Sequence, residues 1–364
     1  MTKKPVITAS QLFGILFISR MIVNITYSPL MVGTTNMWDH VISAAISFIA
    51  VFILIIPMYK ICTIRPNMTI ADNSYFLLGK IGYILVIIYA LYYLFVSCHT
   101  LSLFNVFITN VMNPNTPLIA LSVAIILASC YGAYKGIEAL ARASGIILFI
   151  ICIALIFLVA ALLPHIDTVN YTPLMYSGTK QVSGGILLML SRTSCIPAMA
   201  MLLPMVKGNI KKSIFVWNTA TYAVVALLIF VMVGALGDYL RTQMFPVYTA
   251  TNVAELGILK RLDALYLGIW ASGLFIKISL FLLCFSLCMS RMFGDKIGRI
   301  SILFGGTVVA VLSIIIAKFR YFYKYIYNLN FLLVLTIITG IIIPLILLAV
   351  DYIKIRMRAD QNEK

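Results

Sequence analysis

The chain has 364 residues, of which 62% are apolar and 10% are charged. This composition lies far outside the range of soluble globular proteins and indicates a membrane protein with many spans. The formal net charge of +16 does not indicate nucleic-acid binding, because the basic residues fall in short clusters between apolar runs and form no basic face with interleaved aromatics. The seven cysteines are odd in number and dispersed, which argues against a disulfide framework.

Long apolar runs predict an all-α membrane protein with ten transmembrane helices, since about 20 apolar residues in a helix cross the hydrocarbon core of a bilayer. No cleavage motif follows Lys3 and Lys4, so the first helix is expected to be retained. The predicted spans are residues 10–33, 41–60, 81–110, 117–134, 143–163, 182–204, 213–236, 263–288, 301–317 and 331–352.

The basic residues between the spans predict the orientation, because short cytoplasmic loops collect Lys and Arg. If the N-terminus is inside, the inside segments hold 17 basic residues and the outside segments hold 7. Both termini are therefore expected to be cytoplasmic.

The sixth span, residues 182–204, is long enough to cross the bilayer but is interrupted at its middle. Ser191, Arg192, Thr193 and Ser194 break the apolar run, and Pro197 removes one backbone donor and crowds the preceding turn. A charge at this depth must face protein, water or an anionic partner. The pattern is typical of a binding site.

The first span has a matching interruption. Arg20 lies about halfway along it, is preceded by Ser19 and is followed by Pro29. If residues 10–163 and 182–352 form two units of five spans, the odd number of crossings turns the second unit upside down. The sequence thus predicts a single integral-membrane domain built as a five-plus-five inverted repeat with broken first and sixth helices, in which the breaks form a substrate site near the midplane.

Acidic residues fall only in loops or near predicted span ends. The positive charge of Arg20 and Arg192 therefore indicates an anionic partner, such as the carboxylate of an amino acid, which an arginine grips with two parallel hydrogen bonds. The alternative is that both arginines snorkel or bond carbonyls at helix ends.

Two further polar positions lie inside predicted spans. His99, near Ser97 in the third span, is interpreted either as an interhelical hydrogen-bonding residue or as part of the ligand site. Lys277 in the eighth span either replaces a bound sodium ion or carries a proton, or pairs structurally with loop acids or carbonyls. The sequence holds no Gly-rich phosphate loop, no metal-spaced histidines and no nucleophile elbow, so we expect neither an enzyme nor a cofactor or metal.

Several short motifs in order resemble a known family. They are ITASQLF at residues 7–13, LLPM at residues 202–205, and Phe245-Pro246 followed by KRLDALYLGIW at residues 260–270. Together with the ten-span layout, they resemble the B subunit of the spore-germination nutrient receptors, a spore germination protein family of the amino acid-polyamine-organocation transporter superfamily. The resemblance covers nearly the full length.

The resemblance implies a germinant-sensing subunit in the inner membrane of a bacterial spore, or in the cell membrane. Such a subunit binds an amino acid or similar small nutrient and acts with an A subunit and a lipoprotein C subunit. Closure around the ligand is expected to shift a rocking equilibrium that the partner subunits read. Carried onto this sequence, the site is lined by Asn24, Ile25, Thr26, Tyr27, Arg192, Thr193, Ser194, Cys195 and inward residues of the third and eighth spans.

Two other functions remain open at this point. A stand-alone secondary transporter for amino acids shares the same architecture, and the absence of neighbouring genes for A and C subunits would favour it. A structural scaffold without a ligand predicts a dry helix interface with Arg20 and Arg192 paired to carbonyls.

Overall fold

The computed structural model describes residues 6–26, 37–113, 115–172, 178–254, 263–319 and 328–362. These residues form helices throughout, apart from two strands of two residues each, β1 (Ile7–Thr8) and β2 (Val206–Lys207). The α-helices are α1 (Ala9–Asn24), α2 (His40–Ile64), α3 (Ile70–Leu78), α4 (Gly82–Phe107), α5 (Leu118–Lys135), α6 (Ile137–Leu162), α7 (Gly178–Ser191), α8 (Ile196–Leu202), α9 (Ile210–Leu236), α10 (Pro246–Val253), α11 (Asp263–Phe293), α12 (Asp295–Lys318), α13 (Leu329–Ile337) and α14 (Ile343–Asn362).

Each predicted span corresponds to a helix or to a pair of helices. Within the described residues, nine helical stretches are long and apolar enough to cross a membrane, and α1 is a shorter apolar helix. The prediction of an all-α membrane protein is confirmed. The division into repeats at residues 10–163 and 182–352 stays a prediction. The short helix α3, which precedes the third span, was not predicted.

The third and tenth spans each contain a π-helical turn in place of a regular α-helical turn. A π-helical turn, Ile108–Met112, ends the third span, and another, Ile338–Ile342, separates α13 from α14 in the tenth. A π-turn widens the backbone and leaves carbonyl groups in need of other partners, and such turns are frequent at functional sites.

The sixth and eighth spans form the centre of the molecule. In both spans 78% of the most apolar window is buried within the protein, whereas the corresponding share is 28% for the fifth span.

Two helices can approach each other closely where a glycine of one faces the other. A Cβ added at Gly185 in α7 would lie 2.4 Å from His40 Nδ1, and one added at Gly273 in α11 would lie 2.0 Å from Ile22 in α1.

The start of the first span is attached to the end of the sixth. Thr8 and Gln11 form a capping box that begins α1, and β1 pairs in parallel with β2, with Ile7 opposite Val206. The backbone N–H of Val6 also donates to the carbonyl of Met205 at 2.8 Å. Two of the motifs that carry the resemblance, ITASQLF and LLPM, are therefore neighbours in the fold.

Ion pairs join four helices. If the N-terminus is cytoplasmic, as predicted, these pairs lie on the same side of the membrane as the strand pair. Arg65 at the end of α2 pairs with Asp351 in α14, and Asp72 in α3 lies 3.5 Å from Arg291 in α11. Lys354 in α14 also donates to the carbonyl of Leu77 in α3 at 2.7 Å. We call these contacts the inner ion-pair network.

Candidate ligand site between two helix breaks

The sixth span is broken as predicted. α7 ends at Ser191, α8 begins at Ile196, and residues 192–195 between them are not helical. Pro197 lies in the first turn of α8, where its missing N–H costs nothing and its ring prevents the preceding residues from continuing α7. The break leaves polar backbone groups inside the membrane that need partners.

Arg192 connects this break to the end of the first helix. α1 ends at Asn24, and Arg192 donates from Nη1 to the carbonyl of Val23 and to the hydroxyl of Thr26 (2.8 Å), and from Nη2 to the carbonyl of Thr26 (3.1 Å). A cation is favourable at a helix C-terminus, where the last carbonyls lack intrahelical donors. These bonds match the alternative in which the arginine bonds helix-end carbonyls.

Three tyrosines of α4 satisfy carbonyls at the sixth-span break and at the π-turn of the tenth span. Tyr92 donates to the carbonyl of Ser194 at 3.0 Å, and Tyr93 donates to that of Pro197 at 2.9 Å. Tyr89 donates to the carbonyl of Thr339 at 2.5 Å. Sequence reasoning missed all three, although three tyrosines within five residues of an apolar span were a usable signal.

A cavity lies between the two breaks and has a volume of about 470 Å³, counted to its open mouth. Lys277 projects from α11 toward the break, and its Nζ lies 3.1 Å from Ser194 Oγ. No Asp or Glu is among the described residues that line this cavity, and its polar end is formed by two basic side chains beside neutral polar ones. The lining residues are Val23, Thr26, Val96, His99, Leu103, Ser191, Arg192, Ser194, Lys277, Leu329 and Leu332.

The cavity contains five of the residues that the sequence placed in the site. They are Thr26, His99, Arg192, Ser194 and Lys277. Their positions bring the first, third, sixth and eighth spans together.

Four other candidates lie outside the lining of this cavity. Ser97 donates to the carbonyl of Tyr93 in its own helix, and Thr193, in the break, donates to the carbonyl of Leu190 near the end of α7. Ile25 lines a separate apolar cavity, and Cys195 is buried. Tyr27 lies outside the described residues.

Arg20 and Asn24 line a second cavity on a different face of α1, together with Tyr222 of α9. Arg20 donates to Asn218 Oδ1 at 3.1 Å, and its guanidinium lies over the rings of Trp217 and Tyr222 at 5.1 and 4.6 Å. Arg20 and Arg192 therefore line different cavities, and the binding of a ligand by either arginine stays a prediction.

The apolar lining residues were not predicted. Val96 and Leu103 come from α4, while Leu329 and Leu332 come from α13, the start of the tenth span. Nothing distinguishes these residues in the sequence from lipid-facing ones, so only the packing of the helices identifies them. Among the described residues, no cluster of three His, Cys, Asp or Glu side chains is present to hold a metal ion.

Known proteins with similar sequences and structures share this architecture. Spore germination protein KB of Bacillus subtilis (strain 168) is 23% identical over 308 residues, which cover 81% of this chain and 80% of the relative. A substrate-bound, outward-open Na⁺-coupled sialic acid symporter superposes with a TM-score of 0.63 at 12% identity, covering 92% of this chain and 77% of the symporter chain. This likeness establishes a transporter-like fold.

The family comparison covers most of the chain. Residues 6–321 match the family described as spore germination proteins, and the match includes both helix breaks and the described cavity lining except Leu329 and Leu332. The chain is therefore an integral membrane protein that belongs to the spore germination protein family.

Proposed function

We propose that this chain is the germinant-sensing subunit of a spore nutrient receptor and that the cavity between the two breaks binds an amino acid or similar carboxylate-bearing nutrient. The observation that carries the proposal is the pair of basic side chains, Arg192 and Lys277, at a cavity with no acidic residue among its described lining. A buried cation in a medium of low dielectric constant strongly favours a counter-charge.

Lys277 is the residue that we assign to the nutrient's carboxylate. It is 1% exposed, and its described hydrogen bond goes to a neutral hydroxyl, that of Ser194. A carboxylate at this place would receive a charge-assisted hydrogen bond from Lys277. Ser191 donates its proton to the carbonyl of Leu188, so its oxygen can accept a hydrogen bond from the nutrient's amino group.

Arg192 has a different role in this proposal, because its described bonds go to the end of α1. We assign it to coupling: it joins the first break to the sixth, so that a ligand which displaces the sixth break also moves α1. The ligand then favours one of two rocking states, which the A and C subunits of the receptor read.

The first test is thermal unfolding of the purified protein against a panel of amino acids, nucleosides and sugars. A ligand that binds only the folded state raises the unfolding temperature by mass action. We expect a rise with a carboxylate-bearing nutrient that is lost in Lys277→Gln. Arg142→Gln, at an exposed arginine paired with Glu138, is the matched control and should keep the rise. A rise that persists in Lys277→Gln contradicts the assignment of this residue.

A second test places the same variants in spores. Lys277→Gln at normal protein level should abolish the germination response to the nutrient, and Arg142→Gln should leave it intact. Co-purification with the A and C subunits tests the receptor role, since a chain that isolates alone from spore membranes contradicts it.

The alternative function is a stand-alone secondary amino acid transporter, which the likeness to a Na⁺-coupled symporter favours. In that case Lys277 takes part in ion or proton coupling. Purified protein in liposomes distinguishes the two functions: nutrient uptake that follows a sodium or proton gradient supports the carrier, whereas saturable binding without uptake supports the receptor.

We also propose that both termini are cytoplasmic. Single cysteines placed in the two terminal segments should react with a membrane-impermeant maleimide only after the membrane is opened. Labelling of either terminus in sealed, right-side-out vesicles contradicts the orientation.

A further inference from the structure

The second cavity collects hydrogen-bond donors, and none of its described lining residues is an acid. Arg20 and Asn24 of α1 and Tyr222 of α9 form its polar end. Its other lining residues are the apolar side chains of Met189, Val225, Leu228, Ile229, Met232 and Val247. Arg20 is 2% exposed, so its charge is almost fully removed from water.

Several buried polar atoms near Arg20 have no hydrogen-bond partner in the described part of the chain. The Tyr222 hydroxyl, at the cavity, interacts with the side chains of Arg20 and Ser47, whereas Arg20 Nε, also at the cavity, has no such partner. Ser19 Oγ and Trp217 Nε1 are also buried without a described hydrogen-bond partner. The Trp217 ring lies 5.1 Å from the Arg20 guanidinium. Buried polar atoms are normally paired, and each exception calls for a ligand, an ion or a water molecule.

The chemistry of these atoms selects the ligand. Guanidinium and indole N–H groups can only donate, and hydroxyl groups can donate. The described partners of Arg20 are neutral: the side chain of Tyr222 and that of Asn218, whose amide nitrogen in turn donates to the carbonyl of Phe48 at 3.0 Å. A ligand that accepts from Arg20 Nε and balances the charge of Arg20 is an anion.

The lining of the cavity limits this anion. Arg20, Asn24 and Tyr222 are the polar members of the described lining and the remaining walls are apolar, so a larger polar ligand would lose hydrogen bonds against these walls. A doubly charged anion would overcompensate the single charge of Arg20.

We propose that this second cavity is a binding site for a small monovalent anion of the size of chloride, held by Arg20 and Tyr222 with Ser47 beside them. The anion neutralises Arg20 and joins α1 to α9 and α2. The site is separate from the nutrient cavity, so its occupancy does not depend on the function proposed above.

Thermal unfolding of the full-length purified protein, without nutrient, tests the proposal. Sodium chloride, bromide, nitrate, formate and gluconate are compared at one ionic strength. We expect a saturable rise of several degrees in the unfolding temperature with the small anions and none with gluconate. Equal unfolding temperatures in chloride and gluconate overturn the proposal. Formate distinguishes a general small-anion site from a halide-selective one.

Two mild variants locate the effect. Tyr222→Phe keeps the ring beside Arg20 and removes the hydroxyl, and Ser47→Ala removes the neighbouring hydroxyl. Each should raise the chloride concentration for half-maximal stabilisation at least threefold. Tyr134→Phe, at an exposed tyrosine, and Lys277→Gln, in the other cavity, should leave that concentration unchanged. An unchanged value in both Tyr222→Phe and Ser47→Ala overturns the assignment.

Direct binding of radioactive chloride gives an independent measurement. We expect about one saturable chloride per chain in the wild type and loss of that binding in Arg20→Gln. If Arg20→Gln does not fold, the same assay on Tyr222→Phe should show weakened binding. Wild-type protein that binds no chloride overturns the proposal.

Discussion

Arg192 connects the two helix breaks through hydrogen bonds to Val23 and Thr26. A charged side chain in the membrane is costly unless its donors are used, and here the described bonds go to the carbonyl end of α1, where a cation is favourable. The residue is therefore placed to transmit movement from one break to the other.

Replacing Arg192 tests this coupling role. Arg192→Gln leaves helix-end carbonyls without their donor, so we expect a loss of about 1–3 kcal/mol in stability together with loss of the nutrient response. Arg192→Lys keeps the charge but not the two-pronged geometry and should be intermediate. Unfolding temperature and spore germination rate measure the two effects. A normal nutrient response in Arg192→Gln would show that the breaks are coupled by other contacts.

The tyrosines of α4 are supporting residues of the same site. Tyr92→Phe and Tyr93→Phe each remove one buried hydrogen bond to the sixth-span break, and we expect each to cost about 0.5–1.5 kcal/mol. Tyr131→Phe, at an exposed tyrosine of α5, is the control and should be neutral. Chemical denaturation measures the free energy of unfolding of all three variants. If Tyr92→Phe and Tyr93→Phe are as stable as the control, these carbonyls find other donors.

At the scale of the helices, the breaks and the close contacts have different sequence signals. The sixth-span break was predictable because Arg192 and Pro197 are both unfavourable inside a transmembrane helix. The close contact at Gly185 had no such signal: this residue lies inside α7, where His40 and Ser43 of α2 leave no room for a side chain. Such a contact depends on two distant helices and leaves no local pattern.

A pair of glycine substitutions tests this packing. A Cβ at Gly185 would lie 2.4 Å from His40 Nδ1 and 2.5 Å from Ser43 Oγ, so Gly185→Ala should destabilise the protein by about 1–3 kcal/mol through overpacking. Gly145 in α6 has no atom within 4 Å of such a Cβ, and Gly145→Ala should be neutral or slightly stabilising. The unfolding temperature of Gly185→Ala should therefore be lower than that of Gly145→Ala. The reverse order would contradict the packing described for α7.

At the scale of the whole molecule, the sequence predicted which spans meet but not how they are held. The apolar spans and the paired interruptions predicted the membrane fold and the meeting of the first, third, sixth and eighth spans. The tenth span's part in the cavity, through Leu329 and Leu332, was not predictable, because apolar residues facing a cavity and facing lipid look alike. The sequence also did not indicate which cavity Arg20 lines, since a mid-span position does not state which face of the helix is used.

The inner ion-pair network closes one side of the protein in this conformation. Asp351→Asn removes the partner of Arg65 and should loosen the contact of α14 with α2. We expect faster alkylation of Cys62, which is buried in α2 near Arg65, measured by mass spectrometry after treatment with a water-soluble maleimide. Glu138→Gln, which breaks an exposed pair with Arg142, should not change that rate. An unchanged rate in Asp351→Asn would mean that other contacts hold this side closed.

The strand pair between Ile7 and Val206 has a consequence for how the chain assembles. Its two halves are separated by about two hundred residues, and closing so long a loop is entropically costly until its ends can make contact. During synthesis β1 has no strand partner until the end of the sixth span has been made. The first helix is thus inserted early but acquires its final position only when the second half of the chain arrives, which makes the order of insertion different from the order of folding.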